Sequence, residues 1–380
     1  MRIFVPKETT PGETRVPLVP ETTAKLCKLG AELVVEAGLG LGCGYEDNAY
    51  QKAGAVLTTS PDENWAQADF ILGLRKPQIT NVAKMKAGSC YAGFTDPFTD
   101  FSLIDAFVTQ RVSVIALEML PRTTLAQKMD ALSSQANLSG YVAVILAAER
   151  ADHVLPMMMT PAGTLRPSKV FVIGCGVAGL QAVATAKRLG ARVEAFDTRR
   201  EVEEQVHSLG AKFVKADLGE TASTKDGYAQ ALTPEQQEKQ REAMAKVLAE
   251  SNIVITTAQV FGRKAPVIVT EEMVKSMRPG SVIVDTAIET GGNVEVSRRG
   301  EEIEVQGVRV IALENLPGRV PVHASQMYSA NLGNLVEHFW DKTAKAFTLT
   351  LDDEIMQGCL IVHEGQIRSE RIKNARESAQ

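Results

Sequence analysis

Through residues 1–120, short apolar runs alternate with stretches whose apolar positions recur at helical spacing. The runs predict strands at Arg2–Val5, Ala31–Ala37, Ala68–Leu74, Ser89–Phe94 and Val112–Glu118. The helical stretches predict helices at Pro20–Leu29, Asp47–Ala53, Asn81–Lys86 and Phe101–Gln110. Strand–helix alternation of this kind gives a parallel sheet covered by helices on both faces. An alanine-rich helical pattern over Gln127–Ala151 follows, then a turn-rich connector, Met157–Pro167.

The same alternation restarts at Lys169. Strands are expected at 169–173, Ala191–Phe196, Lys212–Val214, Asn252–Thr256, Ser281–Asp285 and Val308–Ala312, with helices at Leu180–Leu189, Pro234–Glu250 and Glu271–Met277. A second long helical pattern covers Ser325–Thr343. The segment from Asp353 to Val362 reads as a late strand or hairpin, and Ser369–Gln380 as a charged, fraying end. The pattern therefore predicts two doubly wound α/β domains joined by long helices. One comprises residues 1–139 completed by 321–380, and the other is a Rossmann dinucleotide-binding domain over 140–320. A cleft between them is expected to receive the ligand.

A chain of 380 residues suits two domains of ordinary size. Its 44% hydrophobic and 23% charged residues are those of a globular protein, and a net charge of −5 gives no reason to expect nucleic-acid binding. The cysteines (Cys27, Cys43, Cys90, Cys175, Cys359) are odd in number and far apart, so neither a disulfide framework nor a zinc site is expected, nor any other metal site. The first residues read as a strand rather than a signal peptide. No apolar run is expected to span the roughly 18 residues that cross a bilayer. A soluble chain in a reducing cytosol, without direct membrane insertion, is the resulting expectation.

The densest chemical signal lies where the second alternation begins. An apolar strand runs into Gly174-x-Gly176-x-x-Gly179, which opens a helix, and the next strand ends in Asp197, 18 residues after the last glycine. Gly174 permits a tight turn, Gly176 lets a pyrophosphate approach the backbone, and Gly179 lets helix and strand pack closely. The pyrophosphate would rest on the N–H groups of the helix start, around Val177 and Ala178, where the macrodipole favours anions. Asp197 would accept hydrogen bonds from the adenosine ribose and repel a 2′-phosphate, which favours NAD. Arg199 and Arg200 follow it directly, beside Thr198, and such arginines can hold that phosphate, stack on adenine or face solvent. Cys175 reads as a small filler within the loop.

A second polar constellation is Arg122-Thr-Thr-Leu-Ala-Gln127-Lys-Met-Asp130-Ala-Leu-Ser133-Ser134-Gln135. Thr123 or Thr124 can cap the helix. Read as one helix, Gln127, Asp130 and Ser134 share a face, with Ser133 beside it and Met129, Leu132 and Ala136 opposite. Amide, carboxylate and hydroxyl groups in a row suit a carboxamide and a ribose, or else a solvated helix face. The row contains no nucleophile–base pair.

Together with Thr160-Pro-Ala-Gly163, Thr256-Thr-Ala258, Ala265-Pro266, Pro279–Asp285 and Gly291-Gly-Asn293, these segments resemble the NAD(H)-binding component of proton-translocating NAD(P) transhydrogenase over residues 1–345. The resemblance implies that Arg122, Gln127, Asp130 and Ser133 hold the nicotinamide and its ribose, with Gln127, Arg122 and Asp130 carrying hydride positioning. It puts Gly174–Gly179 on the pyrophosphate and Asp197, Thr198 and Arg199 on the adenosine ribose. A mobile loop with a Gly-Tyr-Ala motif is matched at Gly227-Tyr228-Ala229, and Gln259 is carried at a strand end facing the cofactor. The implied cofactors are NAD(H) here and NADP(H) on a partner subunit. The implied assembly is a homodimer, also the commonest symmetric arrangement, peripheral to an inner membrane through an NADP(H)-binding and a membrane-spanning subunit.

A kindred family, alanine dehydrogenase, shares the Lys7-Glu8…Arg15-Val16 pattern and offers an alternative reading. That chemistry uses a lysine before a proline and a histidine after the next strand. Here Arg75 stands in Leu74-Arg-Lys-Pro77, and Tyr91-Ala-Gly93-Phe94 offers no histidine. Hydride passing between two nicotinamides needs no accompanying acid–base group, only position and exclusion of water. Arg15 and Arg75 read as remnants of a substrate site or as carboxylate anchors. His323, the histidine closest to the expected cleft, reads as a cap or interdomain contact. A third reading is a regulatory NAD-binding module without catalysis.

Overall fold

The computed structural model describes residues 1–217 and 232–379. Two compact units emerge: residues 1–135 with 318–380, and residues 136–317. The helix Ala131–Arg150 begins in the first and continues into the second.

In the first unit, six strands come from the leading segment: β1 (Arg2–Val5), β2 (Glu32–Glu36), β3 (Val56–Thr58), β4 (Phe70–Leu72), β5 (Cys90–Gly93) and β6 (Ser113–Ala116). They pair in parallel, and β4 to β6 are buried along their whole length. Such strands need apolar side chains on both faces, which is why they read as unbroken runs rather than alternations. The helix Phe101–Gln110 is capped by Asp100, whose side chain accepts from the Leu103 amide at 3.1 Å, and buries Leu103, Ile104 and Phe107.

The second unit carries β7 (Met158–Thr160), β8 (Gly163–Leu165), β9 (Lys169–Ile173), β10 (Arg192–Phe196), β11 (Lys212–Phe213), β12 (Ile253–Thr256), β13 (Val282–Asp285), β14 (Glu302–Val305) and β15 (Val308–Ile311). The sheet order is β11-β10-β9-β12-β13-β15-β14, parallel except for the β14–β15 hairpin. The chain winds from β9 out through β10 to β11, then returns to lay β12 on the other side of β9. This reversal opens a crevice beyond the carboxyl ends of β9 and β12, the place where such sheets take ligands. Phe171, Ile173, Phe196, Met244, Leu248, Val254 and Ile283 form its apolar core. The helix Pro234–Ala249 starts on a full capping box between Thr233 and Gln236.

The tail returns to the first unit. After the helix Pro321–His338 come β16 (Trp340–Asp341), β17 (Ala346–Phe347), the helix Glu354–Cys359, β18 (Leu360–His363) and β19 (Gln366–Ile367). β18 joins the edge of the sheet antiparallel to β6, giving the order β19-β18-β6-β5-β4-β1-β2-β3.

Four local expectations are corrected. Gln127–Ala151 is not one helix: a short 3-10 turn, Gln127–Met129, is separated by non-helical Asp130 (φ −70°, ψ 89°) from the helix Ala131–Arg150. That helix has 20 residues and is long and apolar enough to cross a membrane, contrary to the expected absence of such a run. Its Val142, Ala143, Val144 and Ala147 are nevertheless buried. The connector at 157–167 contains the β7–β8 hairpin. The charged end does not fray, because Glu370–Ala379 is helical, with Ile372 fully buried and Arg376 paired to Asp105 at 2.6 Å and 2.8 Å.

Candidate dinucleotide site

β9 delivers the chain to Gly174, which has φ +92°. A Cβ there would stand 2.9 Å from the Thr257 hydroxyl and 3.0 Å from the Ala258 nitrogen. Only glycine adopts this conformation so close to other backbone without strain. At Gly176, the residue preceding the helix Val177–Arg188, an added Cβ would meet nothing within 4 Å, so the loop is open on that side. No side chain caps the helix there. The N–H groups of its first turn are therefore available to an anion. At Gly179 an added Cβ would overlap the Gly174 carbonyl oxygen, so helix and turn touch. Gly174 and Gly179 are thus required by the backbone around them, and Gly176 leaves the loop open.

Asp197 closes the end of β10 and is 8% exposed. Both its oxygens are engaged. Oδ2 accepts from the Cys175 amide at 2.7 Å and from Arg199 Nη2 at 2.9 Å. Oδ1 accepts from the Arg199 amide and from Arg199 Nε, both at 2.9 Å. The carboxylate therefore ties the second sheet strand to the glycine loop, and its charge is matched by one planar guanidinium. Arg200 beside it is exposed and Thr198 is half-buried. Cys175 is buried with its thiol pushed above its ordinary value, first by desolvation and then by the Asp197 charge, which makes it the inert filler that its position suggested.

The loop after β12 forms the other wall. The Thr257 hydroxyl donates to the Gly174 carbonyl at 2.9 Å, and Gln259 is exposed two residues on. Sequence reasoning carried Gln259 but not Thr257. The signal was present, since a hydroxyl just after a fully buried parallel strand has a polar task to perform.

In the first unit, Arg122 and Gln127 are exposed while Asp130 and Ser133 are half-buried. Asp130 caps the helix start: Oδ1 accepts from the Ser133 amide at 2.9 Å and Oδ2 from its hydroxyl at 2.5 Å. The turn at Gln127–Met129 is held from the helix Pro321–His338, with Asn331 and Asn334 each donating to the Lys128 carbonyl at 2.9 Å. Ser134 does not share the face of Gln127. Its hydroxyl donates to Asn331 Oδ1 at 2.7 Å, because the break at Asp130 rotates the helix away from the register of a continuous one. Leu132 and Ala136, read as a buried stripe with Met129, are only half-buried. Gly227 and Tyr228 lie outside the described residues. His323 is exposed in the first turn of the helix Pro321–His338.

Arg15 and Arg75 are carboxylate anchors. Glu13 accepts from Arg15 Nε at 2.8 Å and Nη2 at 2.7 Å, and from Arg75 Nε at 2.8 Å. Burial acts to raise its carboxyl, but hydrogen bonds and charge from Arg15 and then Arg75 outweigh that and bring it down to about 2. Arg15 also donates to Gln135 Oε1 at 2.8 Å. Glu118, in the 3-10 turn Leu117–Met119 that follows β6, has the opposite setting. Its Oε1 accepts from the amides of Thr95 and Asp96 at 2.7 Å and 2.8 Å, whereas Oε2 is sealed from solvent without a hydrogen-bond partner. Desolvation lifts its carboxyl to about 7. A separate cavity of about 340 Å3 lies beyond the carboxyl ends of β1 and β4, lined by Lys7, Glu8, Trp65, Arg75, Lys76 and Tyr91. None of the residues assigned to the nucleotide lines it. Among the described residues no cluster of histidine, cysteine and carboxylate side chains could hold a metal.

Sequence-family models described as "Alanine dehydrogenase/PNT, N-terminal domain" and "Alanine dehydrogenase/PNT, C-terminal domain" match residues 4–139 and 143–370. The chain is 42% identical over 374 residues to the first portion of the NAD(P) transhydrogenase alpha subunit of Rhodospirillum rubrum, covering 97% of each. Among solved structures, it matches a transhydrogenase from Sinorhizobium meliloti with a TM-score of 0.86 and 44% identity, covering 97% of this chain and 100% of that one. It also matches an L-alanine dehydrogenase with a TM-score of 0.83 at 24% identity over the full length of both, a likeness of fold.

Proposed function

Because the chain belongs to the alanine dehydrogenase/PNT family and, within it, to the NAD(P) transhydrogenase components, we propose that it is the subunit that binds NAD(H) and exchanges hydride directly with NADP(H) held by a partner subunit. The observation that carries this reading is the glycine loop with Asp197 at the switch point of the second sheet.

In this reading the nucleotide's pyrophosphate rests on Gly174–Gly179 and the amides of Val177 and Ala178. The adenosine ribose meets Asp197, Thr198 and Arg199, and Gln259 borders the nucleotide. Arg122, Gln127, Asp130 and Ser133 hold the nicotinamide and its ribose, and Gly227 and Tyr228, outside the described residues, complete the set assigned to the nucleotide. Supporting the division of labour, Asp197 presents a carboxylate where a 2′-phosphate would stand. The bound nicotinamide supplies the hydride chemistry. The chain's own residues orient the ring and exclude water, and no proton needs to be moved at the substrate.

The partners are an NADP(H)-binding subunit and a membrane-spanning subunit, through which the redox step couples to proton movement. The chain sits peripherally on the cytoplasmic side of that membrane. Its own assembly is a homodimer. The β7–β8 hairpin supports this, since Met157, Met159 and Leu165 there are at least half exposed and apolar.

The test is reduction of an NAD analogue by NADPH, with and without the NADP(H)-binding partner, beside a pyruvate–ammonia assay. Turnover that requires the partner supports the proposal. Turnover of pyruvate by the chain alone overturns it in favour of an amino-acid dehydrogenase. NADH binding without turnover in either assay leaves a regulatory module.

A further inference from the structure

We propose that Asn293 is a positioning residue of the dinucleotide site, fixing the loop 257–259 against the glycine loop before nucleotide arrives. The inference rests on the reading of the second unit as the nucleotide-binding one. Asn293 meets no ligand itself and acts through backbone.

β12 and β9 are parallel neighbours, so the segments leaving their carboxyl ends flank the crevice. A peptide that has just left a strand has lost its ladder partners and must find others. For Ala258 a single side chain supplies both. Its N–H donates to Asn293 Oδ1 at 3.0 Å, and its carbonyl accepts from Asn293 Nδ2 at 2.8 Å. The same Nδ2 donates to the Pro266 carbonyl at 2.8 Å, so one amide group ties both ends of the loop 258–266. Asn293 is fully buried, and both of its donors and its acceptor are used. Aspartate cannot replace it, because it lacks the two donors. Glutamine cannot, because the amide would stand one carbon too far out.

The clamp has its own anchor. Asp285, also fully buried, accepts at Oδ2 from the amides of Asn293 and Val294 at 2.9 Å and 3.1 Å and from the Ser297 hydroxyl at 2.9 Å. At Oδ1 it accepts from the Thr256 hydroxyl at 3.2 Å and the Ala287 amide at 3.1 Å. Gly292 between them has φ +82°, and a Cβ there would stand 2.8 Å from Asp285 Oδ2. On the far side of the clamp, Thr257 bonds the Gly174 carbonyl at 2.9 Å. A continuous line of hydrogen bonds therefore runs from Asp285 through Asn293 and the Ala258 peptide to the first glycine of the loop. With the polar groups of Ala258 turned inward, exposed Gln259 is set by the clamp rather than by its own contacts. Buried networks of this kind hold a site in one geometry when every member is satisfied.

The test titrates the full chain with NADH, following nucleotide fluorescence, for the wild type, Asn293→Asp, Thr257→Val and the double variant. Met244→Ala serves as a core-destabilised control, and thermal unfolding is measured on all five. Asn293→Asp keeps the acceptor for the Ala258 amide and removes both donors, so NADH affinity is expected to fall by about tenfold or more. Because Thr257 lies on the same line, the double variant is expected to lose less than the product of the two single losses. Met244→Ala is expected to lower the unfolding temperature with affinity unchanged. Strictly multiplicative effects, unchanged affinity in Asn293→Asp, or an affinity loss in Met244→Ala matching that of Asn293→Asp would each overturn the inference alone. A wild type that binds no NADH overturns the dinucleotide reading as well.

Discussion

Asp130 grips Ser133 twice, through its amide at 2.9 Å and its hydroxyl at 2.5 Å, and so starts the helix Ala131–Arg150 on a side-chain cap. The carboxylate thus has a structural task whatever else it does. Asp130→Ala is expected to cost about 1 kcal/mol of stability, the usual worth of a lost N-cap. Asp130→Asn keeps an acceptor oxygen for the Ser133 amide and should lose less than half of that. Under the nicotinamide assignment, Asp130→Asn still weakens NADH binding by several-fold, so affinity and melting temperature part company. Parallel losses in both would reduce Asp130 to a cap.

At Asp197 the carboxylate is shared with Arg199, which donates to it from three nitrogens. A neutralised carboxylate repels a 2′-phosphate less than a bare one does. Arg199→Ala is therefore expected to raise the ratio of NADPH to NADH dissociation constants, by about tenfold for the loss of a charged partner. Asp197→Asn is expected to lower that ratio. Titration of each variant with both nucleotides checks the pair, and a ratio unmoved by Arg199→Ala would leave Arg200 as the group that matters.

Much of this was legible in the chain itself. The glycine loop could be read because each glycine answers a local demand: a positive φ at Gly174, open space at Gly176 and backbone contact at Gly179. The core strands were legible because both their faces are buried and apolar. The break at Asp130 was not, because neither glycine nor proline stands beside it to mark a turn. The capping aspartate, read as belonging to a ligand-facing row, was the only signal for it. Arg15 and Arg75 could be read only as remnants of a substrate site or as carboxylate anchors, and pairing them with Glu13 needed the fold to bring residue 75 beside residue 13. The clamp by Asn293 on Ala258, 35 residues away, was likewise beyond any local pattern.

That Glu13 pairing predicts an asymmetry. Arg15 is 4% exposed at its side chain and Arg75 is 27% exposed. Glu13→Gln leaves the buried Arg15 guanidinium without its charge partner, and about 3 to 5 kcal/mol is expected to be lost. Arg75→Ala removes a more solvated partner and should cost about 1 kcal/mol. Because the Glu13 carboxyl is lowered to about 2, its stabilisation is present above its ordinary pKa of 4.5 and is lost as pH falls through about 2. Urea unfolding at neutral pH and below pH 4 measures both statements, and equal costs for the two variants would contradict them.

Glu118 supplies the opposite slope at higher pH. Its carboxyl is raised from 4.5 to about 7 by desolvation, with the Asp96 charge adding to it and the amides of Thr95, Glu118 and Asp96 acting against it. The folded chain keeps this proton longer than the unfolded one does. Stability therefore falls as pH rises from about 4.5 to about 7 and levels off above, by an amount on the order of 3 kcal/mol. Glu118→Gln carries no titrating proton and removes this slope, though its own packing cost is the same at every pH. The difference in stability between Glu118→Gln and the wild type should shift in the variant's favour between about pH 5 and about pH 8. Parallel stability profiles for the two proteins across that range would mean that the sealed Oε2 is reached by water in solution, and that the carboxyl titrates as an ordinary one.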